Sequence, residues 1–183
     1  MSILFEKLPC SVNIDGTDYE IDTDYRIMAK FENAILKTDR RNTKAVATVF
    51  SDTMIKFYKE KLPPNVNEAI NKIWWFYRCG EDINSRRNKV GCSAKNERLY
   101  DYDIDGAHIA AAFQSQYGID LTSCDLHWWL FKSYLSGLDS ECNFVKIMCY
   151  RGMDLKQIKN ARERNRYKRL KIYMHYLLLK PYL

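Results

Sequence analysis

The stretch that most constrains this chain is Leu126-His127-Trp128-Trp129-Leu130-Phe131-Lys132-Ser133-Tyr134-Leu135-Ser136-Gly137-Leu138. Wound as a helix at about 100° per residue, it carries apolar side chains at nearly every angle around the axis. Only Asp125, Lys132 and Ser136 share a polar sector. A helix apolar almost all round is buried on several sides, so it is expected at the centre of a core. Thr122 is the expected N-cap with Asp125 in the first turn, and Gly137 the expected end.

A core of that kind needs enough apolar residues around it. The 183 residues are 46% hydrophobic and 14% aromatic, sufficient for one domain or for two small halves sharing a core. Seven Gly and four Pro exclude a fibrous or disordered composition. The six cysteines, at 10, 79, 92, 124, 142 and 149, form no Cys-x-x-Cys pair, and the chain is longer than a minimal disulfide scaffold. The start, Met1 to Lys7, lacks the basic-then-apolar pattern of a secretion signal, and the run Leu177–Leu179 is too short to span a bilayer. Reduced thiols in a cytoplasm and no membrane contact are the expectation.

Residues 10 to 22 predict a β-hairpin. Cys10, Val12 and Ile14 alternate with polar residues, Asp15-Gly16 turns, and Thr17, Tyr19 and Ile21 alternate again. Val12 should face Tyr19, and Cys10 should face Ile21. A lone hairpin is marginal, so its apolar side must rest on helices. Asp24 caps a first helix with stripe Ile27, Met28, Phe31, Ala34 and Ile35. A second carries Val46, Val49, Phe50, Met54 and Phe57. The third has Asn65 as cap, Glu68 in a variant capping box, and Gly80 as its stop. Its stripe is Val66, Ala69, Ile70, Ile73, Trp74 and Tyr77.

Residues 81–100 have no periodicity and are rich in Asn, Ser, Arg and Lys, which predicts a polar linker loop between residues 1–80 and 101–183. After it, Asp101, Asp103, Asp105 and Gly106 match the first ligands and the glycine of an EF-hand. The twelfth position is Ala112, not the bidentate Glu. A helix cap at Asp103 or Asp105 is the simpler reading. The following helix presents Ile109, Ala110, Phe113 and Tyr117, leaves His108 on its surface, and stops at Gly118. Beyond the central helix, Ser140 caps a helix with Phe144, Ile147 and Met148, and Asp154 caps a long final helix reaching toward Lys180.

The candidate binding residues follow from this layout. Trp75 points about 180° from the third helix's stripe, so the chain itself covers it or a partner does. With the aromatic central helix it nominates Trp75, Trp128, Trp129 and Phe131 as partner contacts. Net charge is +6, unevenly spread: residues 1–30 hold six acids against three bases, and residues 151–183 hold ten bases against two acids. Arg162, Arg164, Arg166, Lys168, Arg169 and Lys171 form a basic patch that could pair phosphates, although a solvated face is simpler. Cys124 and His127 make a poor nucleophile pair without a third orienting residue. A zinc site from Cys124, His127 and Cys142 or Cys149 lacks the usual ligand spacing. No P-loop, dinucleotide fingerprint, zincin or nucleophile-elbow motif is present. A non-enzymatic chain without cofactor or metal is expected.

Several quoted segments resemble a known family. They are Tyr102-x-x-Asp105-x-x-x-Ile109-x-x-x-Phe113-x-x-x-Tyr117-Gly118-Ile119-Asp120-Leu121, Leu126-His127-Trp128-Trp129-x-Phe131, Leu135-x-Gly137-Leu138 and Ile147-x-x-Tyr150-Arg151. With a Leu-Pro before the hairpin and Asp-Tyr-Arg entering the first helix, the chain resembles the bacteriophage gene-product-fifteen family of tailed phages and prophages. The motifs are packing motifs, so they carry no catalytic residue across. The resemblance implies a tail assembly chaperone that binds the phage tape-measure protein, or another tail protein, in the host cytoplasm, with homo-oligomerisation open. The alternative from the residues is a nucleic-acid binder using the basic helix. The fold expected is α+β, mostly α, with about seven helices and an N-terminal β-hairpin.

Overall fold

The structure, a computed structural model, describes residues 4–59, 61–81 and 99–179, with side chains of the last helix to residue 175. Nearly all of the expected linker loop at 81–100 thus lies outside the described residues. Among them are a two-stranded antiparallel hairpin and seven α-helices, a mostly α protein with a small β part. The chain divides into two compact units. The first comprises Met1–Val90 and Asp125–Ser133, the second Gly91–Cys124 and Tyr134–Leu183. A division at the loop alone would leave residues 125–133 with the C-terminal half; they belong to the first unit.

In the first unit, β1 (Ser11–Ile14) pairs with β2 (Thr17–Glu20), and Val12 lies opposite Tyr19 as the alternation predicts. Asp15 and Gly16 take φ of 49° and 81°, the left-handed pair that a two-residue hairpin turn needs. Val12, Ile14, Tyr19 and Ile21 are buried. Cys10 is exposed, although the Ile21 N–H still bonds its carbonyl at 3.0 Å, so the apolar side of the hairpin is one residue shorter than expected. Beyond β2 the extended chain is bracketed. The Asp22 N–H donates to Phe57 O at 2.7 Å, and the Tyr25 and Trp128 N–H groups exchange bonds with Leu126 O and Thr23 O.

Helix α1 (Tyr25–Lys37) is capped by Asp24, α2 (Thr43–Phe57) by Asn42 and α3 (Val66–Tyr77) by Asn65, each accepting from a first-turn N–H. α1 packs on α2, and α2 on α3. Phe31 anchors the three helices, with ring contacts to Phe50, Trp74 and Tyr77. The buried line of α3 is Ala69, Ile73 and Phe76. Phe76 is outside the expected stripe, whose Val66 is exposed.

In the second unit, α4 (Tyr102–Tyr117) ends at Gly118, φ 68°, as expected, but its cap is Asp101, whose side chain accepts from Asp103 N. Asp105 has another task. It is 2% exposed and forms a two-toothed ion pair with Arg151, which is 1% exposed, at 2.7 and 3.0 Å. Arg151 also donates to the carbonyls of Leu99 at 2.9 Å and Met174 at 3.1 Å. One guanidinium therefore ties α4 to α6 (Asn143–Gly152) and to α7 (Ala161–Leu179).

Three helix starts lie later in the chain than expected. Residues 121–123 form a turn in which Asp120 accepts from the Thr122 N–H, the Thr122 hydroxyl and the Ser123 hydroxyl, so Thr122 caps no helix, and α5 runs only over Trp128–Ser136. Asp139, rather than Ser140, organises the turn into α6 by accepting from the Glu141 N–H. Asp154 caps only a 3-10 turn at Leu155–Gln157. The long helix starts afresh behind Asn160, which accepts from the N–H groups of Arg162 and Glu163. Asp and Asn side chains that bond backbone two residues on compete with helix, and at these positions they prevail.

Candidate interaction surface

The end of a helix leaves carbonyls without intrahelical partners. At the end of α3 two indoles fill them: Trp128 Nε1 donates to Tyr77 O at 3.0 Å, and Trp129 Nε1 to Phe76 O at 2.8 Å. The Trp128 ring stacks with Tyr77 and Phe131, and Phe131 with Tyr25 at 4.5 Å. Trp128, Trp129 and Phe131 are 0–1% exposed. The expectation that they touch a partner is corrected: adjacent aromatics on α5 close the α3 terminus, and their surfaces are spent inside the first unit. Trp75 is half-buried, its ring edge-on to Trp129 at 5.5 Å. It alone of the four keeps substantial exposed surface.

Gly80 belongs to the same arrangement. It has φ of 79°, and a Cβ there would lie 2.9 Å from Trp129 Cη2. The sequence marks it as a helix stop, but not as the seat of an indole ring. His127 sets the start of α5. Its Nδ1 accepts from the Trp129 N–H at 3.1 Å, which leaves Nε2 as the protonated nitrogen, donating to Pro9 O at 3.1 Å. Burial holds the imidazole below its ordinary value, with the Pro9 carbonyl pulling weakly the other way. Both nitrogens are engaged by backbone, so His127 is built in as a neutral helix cap. Among the described residues no group of three His, Cys, Asp or Glu side chains is placed to hold a metal. No described helix is long and apolar enough to cross a membrane.

Helix α7 holds the basic patch. Arg162, Arg164, Arg166, Lys168 and Arg169 are exposed, and Lys171 is half-buried with its Nζ donating to Met153 O at 3.2 Å. The helix is seated on α6 by Tyr167 stacking on Tyr150 and by His175 donating to Arg151 O at 3.1 Å. At about 100° per residue, Tyr167, Leu170, Lys171, Met174 and His175 share that seat. The opposite face presents Arg162, Asn165, Arg166, Arg169, Ile172 and Tyr173, of which Ile172 and Tyr173 are 59% and 57% exposed. Arg164 lies to the side, its Nη1 3.5 Å from Ile158 O. The ion pairs among the described residues use none of Arg162, Arg166 and Arg169. This face is therefore a row of three unpaired guanidinium groups running into two exposed apolar side chains. Charge counting locates the row, while the seat on α6 decides which residues are left facing out.

The family model described as Bacteriophage Gp15 protein matches residues 4–176 of the chain. No curated protein and no solved structure matches it.

Proposed function

The chain belongs to the bacteriophage Gp15 family, and from that premise we propose that it is a non-enzymatic tail assembly protein. In this reading it binds the tape-measure protein, or another tail protein, in the host cytoplasm as a chaperone does and keeps it soluble until assembly. The observation that carries the reading is the outer face of α7, where Ile172 and Tyr173 stand exposed beside unpaired arginines. A partner helix is held through exposed apolar side chains with charges around them, and this face offers two, at the adjacent positions 172 and 173. Half-buried Trp75 is a second anchor, of the residue type that dominates binding energy at protein interfaces.

Co-expression with the tape-measure protein of the same phage tests the proposal. A co-purifying complex that Ile172→Asp with Tyr173→Asp disrupts is expected. A tape-measure protein that stays insoluble and uncomplexed refutes it. The row of guanidinium groups also supports a second reading, nucleic-acid binding, in which Arg162, Arg166 and Arg169 pair phosphates and Tyr173 stacks on a base. A gel shift that weakens steeply with salt and is lost in Arg166→Gln with Arg169→Gln would favour it, and no shift at low salt removes it.

A further inference from the structure

We infer that the outer face of α7 in one copy of this chain docks on the hairpin end of a second copy, head to tail. The alternation of the hairpin turns Val12, Ile14 and Tyr19 inward and leaves Ser11, Asn13, Asp18 and Glu20 exposed. The register sets Asn13 opposite Asp18 and Ser11 opposite Glu20, so the two strands place two carboxylates on this outer face, with exposed Lys59 the neighbouring cation through its N–H to Glu20 O at 3.4 Å. The ion pairs among the described residues use neither carboxylate. Ahead of the hairpin, Leu4 and Phe5 are 86% and 87% exposed.

The two faces therefore complement each other acid to base, and each end of the chain also presents an exposed apolar pair. Spacing agrees as well: Asp18 and Glu20 are two strand residues apart, about 6.7 Å, and Arg162 and Arg166 are four helix residues apart, about 6 Å along the axis. A net charge of +6 makes copies repel at a distance. Unlike ends are then the approach that electrostatics permits, while α7 against α7 is penalised. The contact is heterologous, leaving each copy one unused face, so it propagates into a ring or a filament. It is read from this chain alone; because it uses the face proposed for the tape-measure protein, the two partners compete for that face, and sedimentation of the chain by itself tests the self-contact apart from the other.

Sedimentation velocity of the full chain tests it. Association that grows with concentration at low salt is expected, weakening as ionic strength rises and the screening length falls from about 10 Å toward 3 Å. Arg166→Glu with Arg169→Glu should weaken association at least about tenfold, and Asp18→Lys with Glu20→Lys should do the same. Mixing the two variants should restore it, because each then offers the face that the other lacks. Circular dichroism checks that both pairs fold; where one does not, Arg166→Gln with Arg169→Gln, or Asp18→Asn with Glu20→Gln, takes its place and should weaken association in the same direction. A monomer at every concentration and salt overturns the inference. So does association that the reversals leave unchanged, that mixing fails to restore, or that nuclease abolishes.

Discussion

Replacing Arg151 by Met removes the guanidinium that joins three helices of the second unit. The side chain is 1% exposed, and it faces a carboxylate that is 2% exposed. Three things are lost together: the paired contacts to Asp105, the donor to Leu99 O, and the donor to Met174 O. Asp105 keeps only the Asp101 N–H, at 3.0 Å on Oδ2. Stranding one member of a buried ion pair costs about 3–5 kcal/mol. Each carbonyl left without its donor would add about 1 kcal/mol or more where water cannot reach it. Relaxation shares these costs, so the expected loss is about 4 kcal/mol, against a total stability of about 5–15 kcal/mol. At about 2–4 °C per kcal/mol for a chain of this size, the melting temperature should drop by about 10 °C. All four tryptophans, Trp74, Trp75, Trp128 and Trp129, belong to the first unit. The second unit is therefore followed by far-ultraviolet circular dichroism, and tryptophan emission serves as the internal reference. Asp105→Leu with Arg151→Met should recover most of the loss, because an apolar pair leaves no buried charge. A single variant that costs under about 1 kcal/mol, the worth of a solvated surface pair, would refute the argument.

Three further perturbations test the first unit. Gly80→Ala places a methyl against the Trp129 ring at a left-handed φ, and should cost about 1–3 kcal/mol and shift tryptophan emission. His127 has its folded value depressed below the ordinary 6.5. The unfolded chain then binds the extra proton first, and stability should fall as pH drops through about 6.5. Urea midpoints at pH 8 and pH 5 measure that loss, and His127→Asn should flatten it. The Tyr58 hydroxyl donates to Ala69 O at 2.9 Å, and burial, then the Glu68 charge, pushes its ionisation well above the ordinary 10.0. Ultraviolet titration should show a late-ionising tyrosine signal that Tyr58→Phe removes, at a cost of about 1 kcal/mol in stability.

The parts of the fold that were legible in the sequence are those fixed by a few adjacent residues. Asp15-Gly16 sets the turn and hence the register of Val12 on Tyr19, and Asn65 with Glu68 marks the start of α3. Helix starts differ where an acidic side chain accepts from its own downstream backbone, as Asp120 does from the Thr122 N–H, with the Ser123 hydroxyl added, and Asp139 from the Glu141 N–H. Both outcomes are encoded by the same residue types, and the choice rests on packing that lies far away in sequence. Asp105 and Arg151 stood in plain view as motif residues, but 46 positions separate them. Only the meeting of α4 with α6 makes them a pair.

The aromatic residues and the basic helix end in opposite places, one buried and one exposed, for one physical reason. Trp128 and Trp129 read as candidate binding residues because the central helix is rich in aromatics, yet each indole carries a donor, and buried helix ends are short of donors. Phe76 O and Tyr77 O take those donors, so the pair is consumed in closing α3. The arginines of α7 read as a solvated face because charge runs usually are, and they are exposed; seating one side of the helix on α6 gathers three of them on the other side, beside Ile172 and Tyr173. In both cases what remains for a partner is what the chain's own hydrogen bonds and packing leave unused. On that criterion the binding surface is sought on α7 and at Trp75, and α5 is left to hold the first unit together.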